Sequence, residues 1–330
     1  MDSLEELEQR AEAGDAESKF RLGVELLGRP DSSEHMDRGI SLVETASAEG
    51  HSPATELCSV FEAMGIARPV DWDRALDRLQ LAAEQGAAGA RRQLLLFADN
   101  EAPADVPQSA DQGYWAQVRS RISFERLIGS PERRSLCDAP RIRAIEGFAT
   151  APECDWLMER ARDRLVRATI IDVTGDHRID PGRSNTGKEF LVHDMDLVLE
   201  MMRCRISAAT RIPVPVFEPT QILHYEVGEE FQPHHDFLDP ANPNHREQLR
   251  AGQRIATFLL YLNDAFEGGE TDFPAARVRY RGRTGDAVFF ANVGLDGKPD
   301  PRTLHAGRPP TSGEKWILSQ WIRDRAGPAA

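Results

Sequence analysis

Residues Gln221–Phe237 read QILHYEVGEEFQPHHDF. The alternating start predicts a strand that enters a turn and leaves with His234 and Asp236 two residues apart. Side chains at i and i+2 of a strand share a face, so both can reach one metal ion while His235 points the other way. A neutral imidazole, a carboxylate and a second histidine from elsewhere leave three coordination positions open. That set suits non-haem Fe(II) that must also bind a cosubstrate and O2. Alone, the pair is weak, because His-Asp pairs on surfaces are common.

The C-terminal end adds weight. His305 lies in TLHAGRPPTSGEKWILSQWI, and Lys315 follows ten residues later at the start of an alternating strand. The chain has four lysines (Lys19, Lys188, Lys298, Lys315) against 36 arginines, so a lysine at the mouth of a buried strand is not compositional noise. A lysine buried near a metal wants an anionic partner, and a dicarboxylic acid cosubstrate supplies one.

The ordered set YxxGxxFxPHxDF, RIATFLLYLND, GGETDFP and His-x9-Lys-Trp resembles the prolyl 4-hydroxylase branch of the Fe(II)/2-oxoglutarate dioxygenases, over roughly residues 140 to 325. The resemblance implies that His234, Asp236 and His305 bind Fe(II) and that Lys315 pairs with the distal carboxylate of 2-oxoglutarate. It makes Tyr225 a hydrogen-bond donor to that cosubstrate. Tyr261 and Thr271 are weaker pocket candidates, a core tyrosine being as good a reading of the first. Arg183, in the turn-rich DPGRSNTGKEFL (180–191), becomes a substrate-contact candidate, as does Trp321, which shares a strand face with Lys315, Ile317 and Ser319. An arginine in such a loop is more often simply solvated. The implied reaction is hydroxylation of a peptidyl proline through a ferryl species, releasing succinate and CO2, with ascorbate as the reductant. One departure stands out: Phe231 occupies a place where many members of the family carry tyrosine, which puts the substrate in doubt but not iron binding.

Bulk properties narrow the class. At 330 residues the chain predicts two domains, and a net charge of −14 argues against nucleic acid or an anionic membrane surface as partner. Cys58, Cys137, Cys154 and Cys204 form no CxxC pair and read as reduced thiols. The acidic start MDSLEELEQR carries no apolar signal region, and no apolar run approaches a membrane span. The expectation is a cytoplasmic protein.

The first hundred residues are periodic. Gly14, Gly50 and Gly86 are spaced by 36 residues, within the phrases AEAGDAES, ASAEGHSPA and AAEQGAAGA. Leu22, Cys58 and Leu94 fall on the same register, as do Ile40 with Leu76 and Val43 with Leu79. Period and composition suggest helical hairpins with glycine between the helices. The pattern is similar to Sel1-type repeats, relatives of the tetratricopeptide class, with two fuller repeats and a partial third. Such repeats bind a protein or peptide, or they cap the neighbouring domain.

The chain therefore divides into helical repeats (1–98), a linker with a bracketing helix (99–139) and a dioxygenase domain (140–326). The linker includes DNEAPADVPQSA (99–110), a helix over about 111–127 with Trp115, Val118 and Ile122 on one face, and a loop over 129–139. Within the domain, Thr150 with Glu153 predicts a helix start, 194–211 a second helix, and strands follow at 141–148, 220–227, 254–262, 285–292 and 315–322. The polar stretch between Phe237 and Ile255 reads as a mobile cover, with His245 a surface residue. The fold class is α+β: a helical repeat segment followed by a double-stranded β-helix (jelly roll) with flanking helices. Two alternatives stay open: a hydroxylase of another residue or of a small molecule, and a repeat-based interaction protein with an inert jelly roll.

Overall fold

The computed structural model of the chain describes residues 3–29, 32–101, 112–129, 131–168, 170–171, 177–178 and 182–326. The linker expected at 99–110 lies almost wholly outside the described residues, as do the first two residues of 180–191. Two compact units result, one formed by residues up to 129 together with 190–205, the other by the remainder.

The 36-residue period is a period of helix pairs. Helices α1 (Leu4–Glu12) and α2 (Ala16–Leu27), α3 (Ser33–Ala48) and α4 (Ser52–Met64), and α5 (Trp72–Glu84) and α6 (Ala88–Asp99) form three hairpins. Gly14, Gly50 and Gly86 sit in their turns with φ of 98°, 89° and 105°, a region other residues enter only with strain. Residues one place later begin the second helices: Asp15 and His51 each cap theirs with a side chain, and Ala87 cannot. The register positions Leu22, Cys58 and Leu94 are buried, and so are Leu7, Val43 and Leu79. The reduced repeat is the first, whose opening helix is short and whose Leu4, equivalent to Ile40 and Leu76, is exposed. Helices α2 and α3 cross where Gly23 meets Gly39; a Cβ on Gly23 would lie 2.8 Å from Val43 Cγ2 and 3.0 Å from the Gly39 carbonyl. The helix expected over 111–127 is two helices, α7 (Gln112–Ser120) and α8 (Phe124–Leu127), and Trp115, Val118 and Ile122 are all buried.

The second unit is a jelly roll of antiparallel ladders. Its strands are β1 (Arg134–Asp138), β2 (Arg141–Ile145), β3 (Val166–Arg167), β4 (Ile170–Ile171), β5 (His177–Arg178), β6 (Thr186–Phe190), β7 (Thr220–Tyr225), β8 (Phe231–His234) and β9 (Arg254–Tyr261). They continue with β10 (Phe266–Gly268), β11 (Thr271–Phe273), β12 (Val278–Tyr280), β13 (Ala287–Ala291), β14 (His305–Gly307), β15 (Pro310–Gly313) and β16 (Lys315–Arg323). One sheet runs β1-β2-β13-β9-β16-β7-β6-β3, and the facing sheet runs β12-β11-β14-β8. Tyr225, Tyr261, Phe290 and Ile317 from the first pack against Phe273 and Tyr280 from the second. Helix α9 (Ala151–Arg162) starts with the expected capping box of Thr150 and Glu153. Helix α10 (Leu197–Thr210) begins among the residues counted with the helical unit, and α11 (Arg246–Arg250) interrupts the polar stretch.

One expectation fails. Residues 129–139, read as a loop, contain β1, the outermost strand of the larger sheet. Three of its five residues are polar and exposed, as suits an edge strand, and its two apolar ones, Leu136 and Cys137, are adjacent, so it carries no hydrophobic alternation to read.

Candidate active site

The pairing of β8 with β14 builds the site. His234 and His305 are direct cross-strand partners, their ring centroids 4.3 Å apart. Asp236, just past the end of β8, turns into the same space, and one ligand atom from each of the three lies within 4.8 Å of the others. Each imidazole is oriented by its own backbone: His234 Nδ1 donates to the Gln232 carbonyl at 2.8 Å, and His305 Nδ1 to the Thr303 carbonyl at 3.0 Å. A carbonyl only accepts, so both Nδ1 atoms carry the proton, and both Nε2 lone pairs face Asp236 at 3.6 and 3.4 Å.

Charge at this point favours a cation. Burial pushes the Asp236 carboxyl up, but the His305 and His234 imidazoles and the Thr257 hydroxyl outweigh it and hold the group well below the usual carboxylate range. Burial, helped by the His234 ring, brings His305 down to about 4, so it stays neutral and able to coordinate. Phe231 stacks on His234 with centroids 3.5 Å apart, and Phe273 and Phe290 pack on His305 at 5.6 and 4.7 Å. Two imidazoles with their Nδ1 atoms tied to backbone carbonyls and one carboxylate, set among aromatic rings, fit a divalent metal.

Lys315 occupies an inner chamber beside this cluster. Its strand neighbour in β7 is Tyr225, and its Nζ lies over the Tyr225 and Tyr261 rings at 4.9 and 5.7 Å. Among the described residues it makes no ion pair, and burial lowers it to about 7, with Glu270 opposing that shift. Gly269 leaves room for the lysine stem, since a Cβ there would approach Lys315 Cδ to 3.2 Å. Lys315, Ile317, Ser319 and Trp321 all line the chamber, as strand alternation requires, together with Tyr225 and Thr271. Tyr261 does not line it. The hydroxyl of Tyr261 pairs with Thr271 Oγ1 at 2.8 Å and donates to the Tyr280 carbonyl at 2.9 Å, so it supports Thr271 from behind. Of the two readings of Tyr261, pocket and core, these contacts are those of a core tyrosine.

An outer groove of about 620 Å3 shares Arg183, Phe231, His234, Asp236 and Trp321 with the chamber. Arg183 is buried rather than solvated, its guanidinium 4.7 Å from the centroid of the Phe231 ring that also stacks on His234. Trp321 is held by Arg254, whose guanidinium lies 3.7 Å from the ring centroid and forms a two-pronged pair with Glu218 at 2.6 and 2.8 Å. His245, expected at the surface, lines the groove and is half-buried; its Nδ1 accepts from the Asp239 amide at 2.7 Å.

Comparison with known proteins agrees with this geometry. The family profile described as 2OG-Fe(II) oxygenase superfamily matches residues 220–323. Prolyl 4-hydroxylase 1 of Arabidopsis thaliana is 36% identical over 216 residues, covering 60% of this chain and 74% of the relative. The chain belongs to the prolyl 4-hydroxylase family. Prolyl 4-hydroxylase 5 of the same plant is 38% identical over 204 residues, covering 56% of this chain and 68% of that one. Among solved structures, the viral collagen prolyl hydroxylase of Paramecium Bursaria Chlorella virus-1, in its 2OG complex, is similar with 29% identity, 57% and 98% coverage and a TM-score of 0.45. The N-terminal region is similar to a Sel1 repeat protein of Oxalobacter formigenes, with 19% identity, 38% and 51% coverage and a TM-score of 0.27.

The residues that carried the resemblance, His234, Asp236, His305 and Lys315, thus stand together in the fold of this prolyl 4-hydroxylase family member, and Phe231 stacks on His234 and under Arg183. Sequence reasoning missed the contacts of Thr257 with Asp236 and Asn292 and of Arg254 with Glu218. Arg254 and Thr257 stand in the RIATFLLYLND motif, but their partners are remote in the chain and come near only in the fold.

Proposed function

We propose that the protein hydroxylates a prolyl residue of a peptide or protein at C4, using Fe(II), 2-oxoglutarate and O2. One observation carries the reading: the His234–Asp236–His305 cluster lines one chamber with a buried lysine that makes no ion pair among the described residues, and the chamber adjoins a groove of about 620 Å3. Two of the relatives it matches carry the names prolyl 4-hydroxylase 1 and prolyl 4-hydroxylase 5, which supports the reading.

Fe(II), when bound, supplies O2 activation coupled to oxidative decarboxylation of 2-oxoglutarate to succinate and CO2. The protein's own residues bind, orient and exclude water. His234 and His305 present fixed Nε2 lone pairs, and Asp236 presents its carboxylate. Lys315 receives the distal carboxylate of 2-oxoglutarate, and in doing so regains the proton that burial disfavours. Tyr225 offers its hydroxyl to the same cosubstrate, and Thr271, held by Tyr261, closes the chamber beside it. Phe231, Phe273 and Phe290 keep water from the reacting face. In the outer groove Trp321 gives the proline ring a flat wall, and Arg183 stands where a peptide carbonyl would pass. Ascorbate as the rescuing reductant, a cytoplasmic location and a protein partner on the helical repeats belong to the same proposal.

The test is mass spectrometry of proline-containing peptides after incubation with protein, Fe(II) and 2-oxoglutarate in air. Addition of one oxygen on proline, with succinate formed in step, is expected. Oxygen added to another residue or to a small molecule would redirect the substrate assignment. No succinate with any peptide would remove the enzyme reading.

A further inference from the structure

One oxygen of the Asp236 carboxylate is anchored by the protein itself. Oδ2 accepts from Thr257 Oγ1 at 2.7 Å, and Thr257 Oγ1 in turn faces Asn292 Nδ2 at 3.0 Å. All three side chains are buried, Thr257 at 1% and Asn292 at 0% exposure. The direction of this chain follows from what each group can do. An ionised carboxylate only accepts, so the single Thr257 proton points at Asp236. The Thr257 oxygen must then accept from Asn292, which turns its NH2 toward Thr257. The other end of that amide, Oδ1, is buried and finds no hydrogen-bond partner among the described residues. A buried acceptor left unpaired is costly, so the amide is oriented by Thr257 and not by its own needs.

The backbone holds the relay rigid. Thr257 lies in the interior of β9, paired with Trp321 of β16 on one side and Phe290 of β13 on the other. Asn292 follows directly on β13, its amide donating to the Ile255 carbonyl at 2.8 Å and its carbonyl accepting from Asp300 at 3.0 Å. Asp236 itself sits past the end of β8, outside any ladder, where its side chain needs an external anchor.

We infer that Thr257 and Asn292 are positioning residues for the metal site, acting as a one-way hydrogen-bond relay onto Asp236 Oδ2. The relay rests on the reading of His234, Asp236 and His305 as metal ligands. Its consequence is a fixed carboxylate: with Oδ2 held by the hydroxyl, Oδ1 stays 3.6 Å from His234 Nε2 and Oδ2 3.4 Å from His305 Nε2, so the group is already turned toward the place an ion would take.

The test uses Mn(II) alone, with free Mn(II) read by electron paramagnetic resonance on the full chain. Wild type and His234→Ala set the limits. Thr257→Val, equal in shape but without the hydroxyl, should weaken Mn(II) binding about 10- to 100-fold, the range for outer partners of metal ligands. Thr257→Ser should restore it. Asn292→Leu should weaken binding less, and the double variant Thr257→Val/Asn292→Leu should bind no worse than Thr257→Val, because the two act through one contact. Circular dichroism melting on each variant separates misfolding from loss of the contact. Wild-type affinity in a folded Thr257→Val overturns the relay while leaving the metal site intact. Additive losses in the double variant overturn the link between Asn292 and Thr257. Failure of the wild type to bind Mn(II) more tightly than His234→Ala removes the metal reading on which the relay rests.

Discussion

At the scale of single residues, Lys315 makes the sharpest claim. It is fully buried, its only close partners among the described residues are aromatic faces, and its ammonium is brought down to about 7. An arriving dicarboxylate favours the charged form, so binding must raise this group back toward its ordinary value. Above pH 7 the free protein holds a largely neutral amine and has to take up a proton on binding. Affinity for 2-oxoglutarate should therefore fall as pH rises from about 7. Calorimetry at pH 8.5, in two buffers of different ionisation heat, should show proton uptake in wild type and none in Lys315→Met. The variant should also bind about 10- to 100-fold more weakly, the worth of a charge-assisted pair. Heats independent of the buffer would refute this.

Elements show why part of the site was legible in the sequence and part was not. His234 and Asp236 are two residues apart and Lys315 and Trp321 six, even spacings that strand alternation puts on one face, although Asp236 lies just past the end of β8. The long, apolar β9 and β16 were equally plain. The edge strand β1 was missed because its two apolar residues are adjacent rather than alternating and its partner lies on one side only. Thr257 and Asn292 were missed because their meaning depends on which strands lie side by side, and Tyr261 stayed open between pocket and core because its direction depends on the depth of Thr271. In the helical unit, the Gly23–Gly39 crossing was not read at all. It also carries a prediction: Gly39→Val places methyl groups against Leu27 and the Gly23 carbonyl, which a Cβ would already meet at 2.9 and 3.1 Å. Overpacking of this kind costs about 1–3 kcal/mol, so denaturant unfolding should shift accordingly, whereas an exposed Leu4→Ala should change little.

For the whole molecule, periodicity and motif order divided the chain into helical repeats followed by a jelly roll, and the folded chain has both. What the sequence could not reveal is that residues 190–205 count with the helical unit although they lie within the dioxygenase stretch, because compactness is a property of contacts and not of order. A ligand that binds only the folded jelly roll stabilises it by mass action, by about 2.7 kcal/mol at a hundredfold excess over its Kd. Adding Mn(II) with 2-oxoglutarate should raise the melting temperature of wild type, chelation should reverse the rise, and His305→Ala should show none. An equal rise in His305→Ala would place the ion elsewhere.

The central claim is that one chamber holds both an iron coordinated by His234, Asp236 and His305 and a 2-oxoglutarate paired with Lys315. Anaerobic titration of the Fe(II)-loaded protein with 2-oxoglutarate, followed by visible absorption, tests it most directly. A metal-to-ligand charge-transfer band is expected in wild type, absent in His234→Ala and weakened at equal ligand in Lys315→Met. A folded, iron-loaded wild type that develops no band would contradict the account.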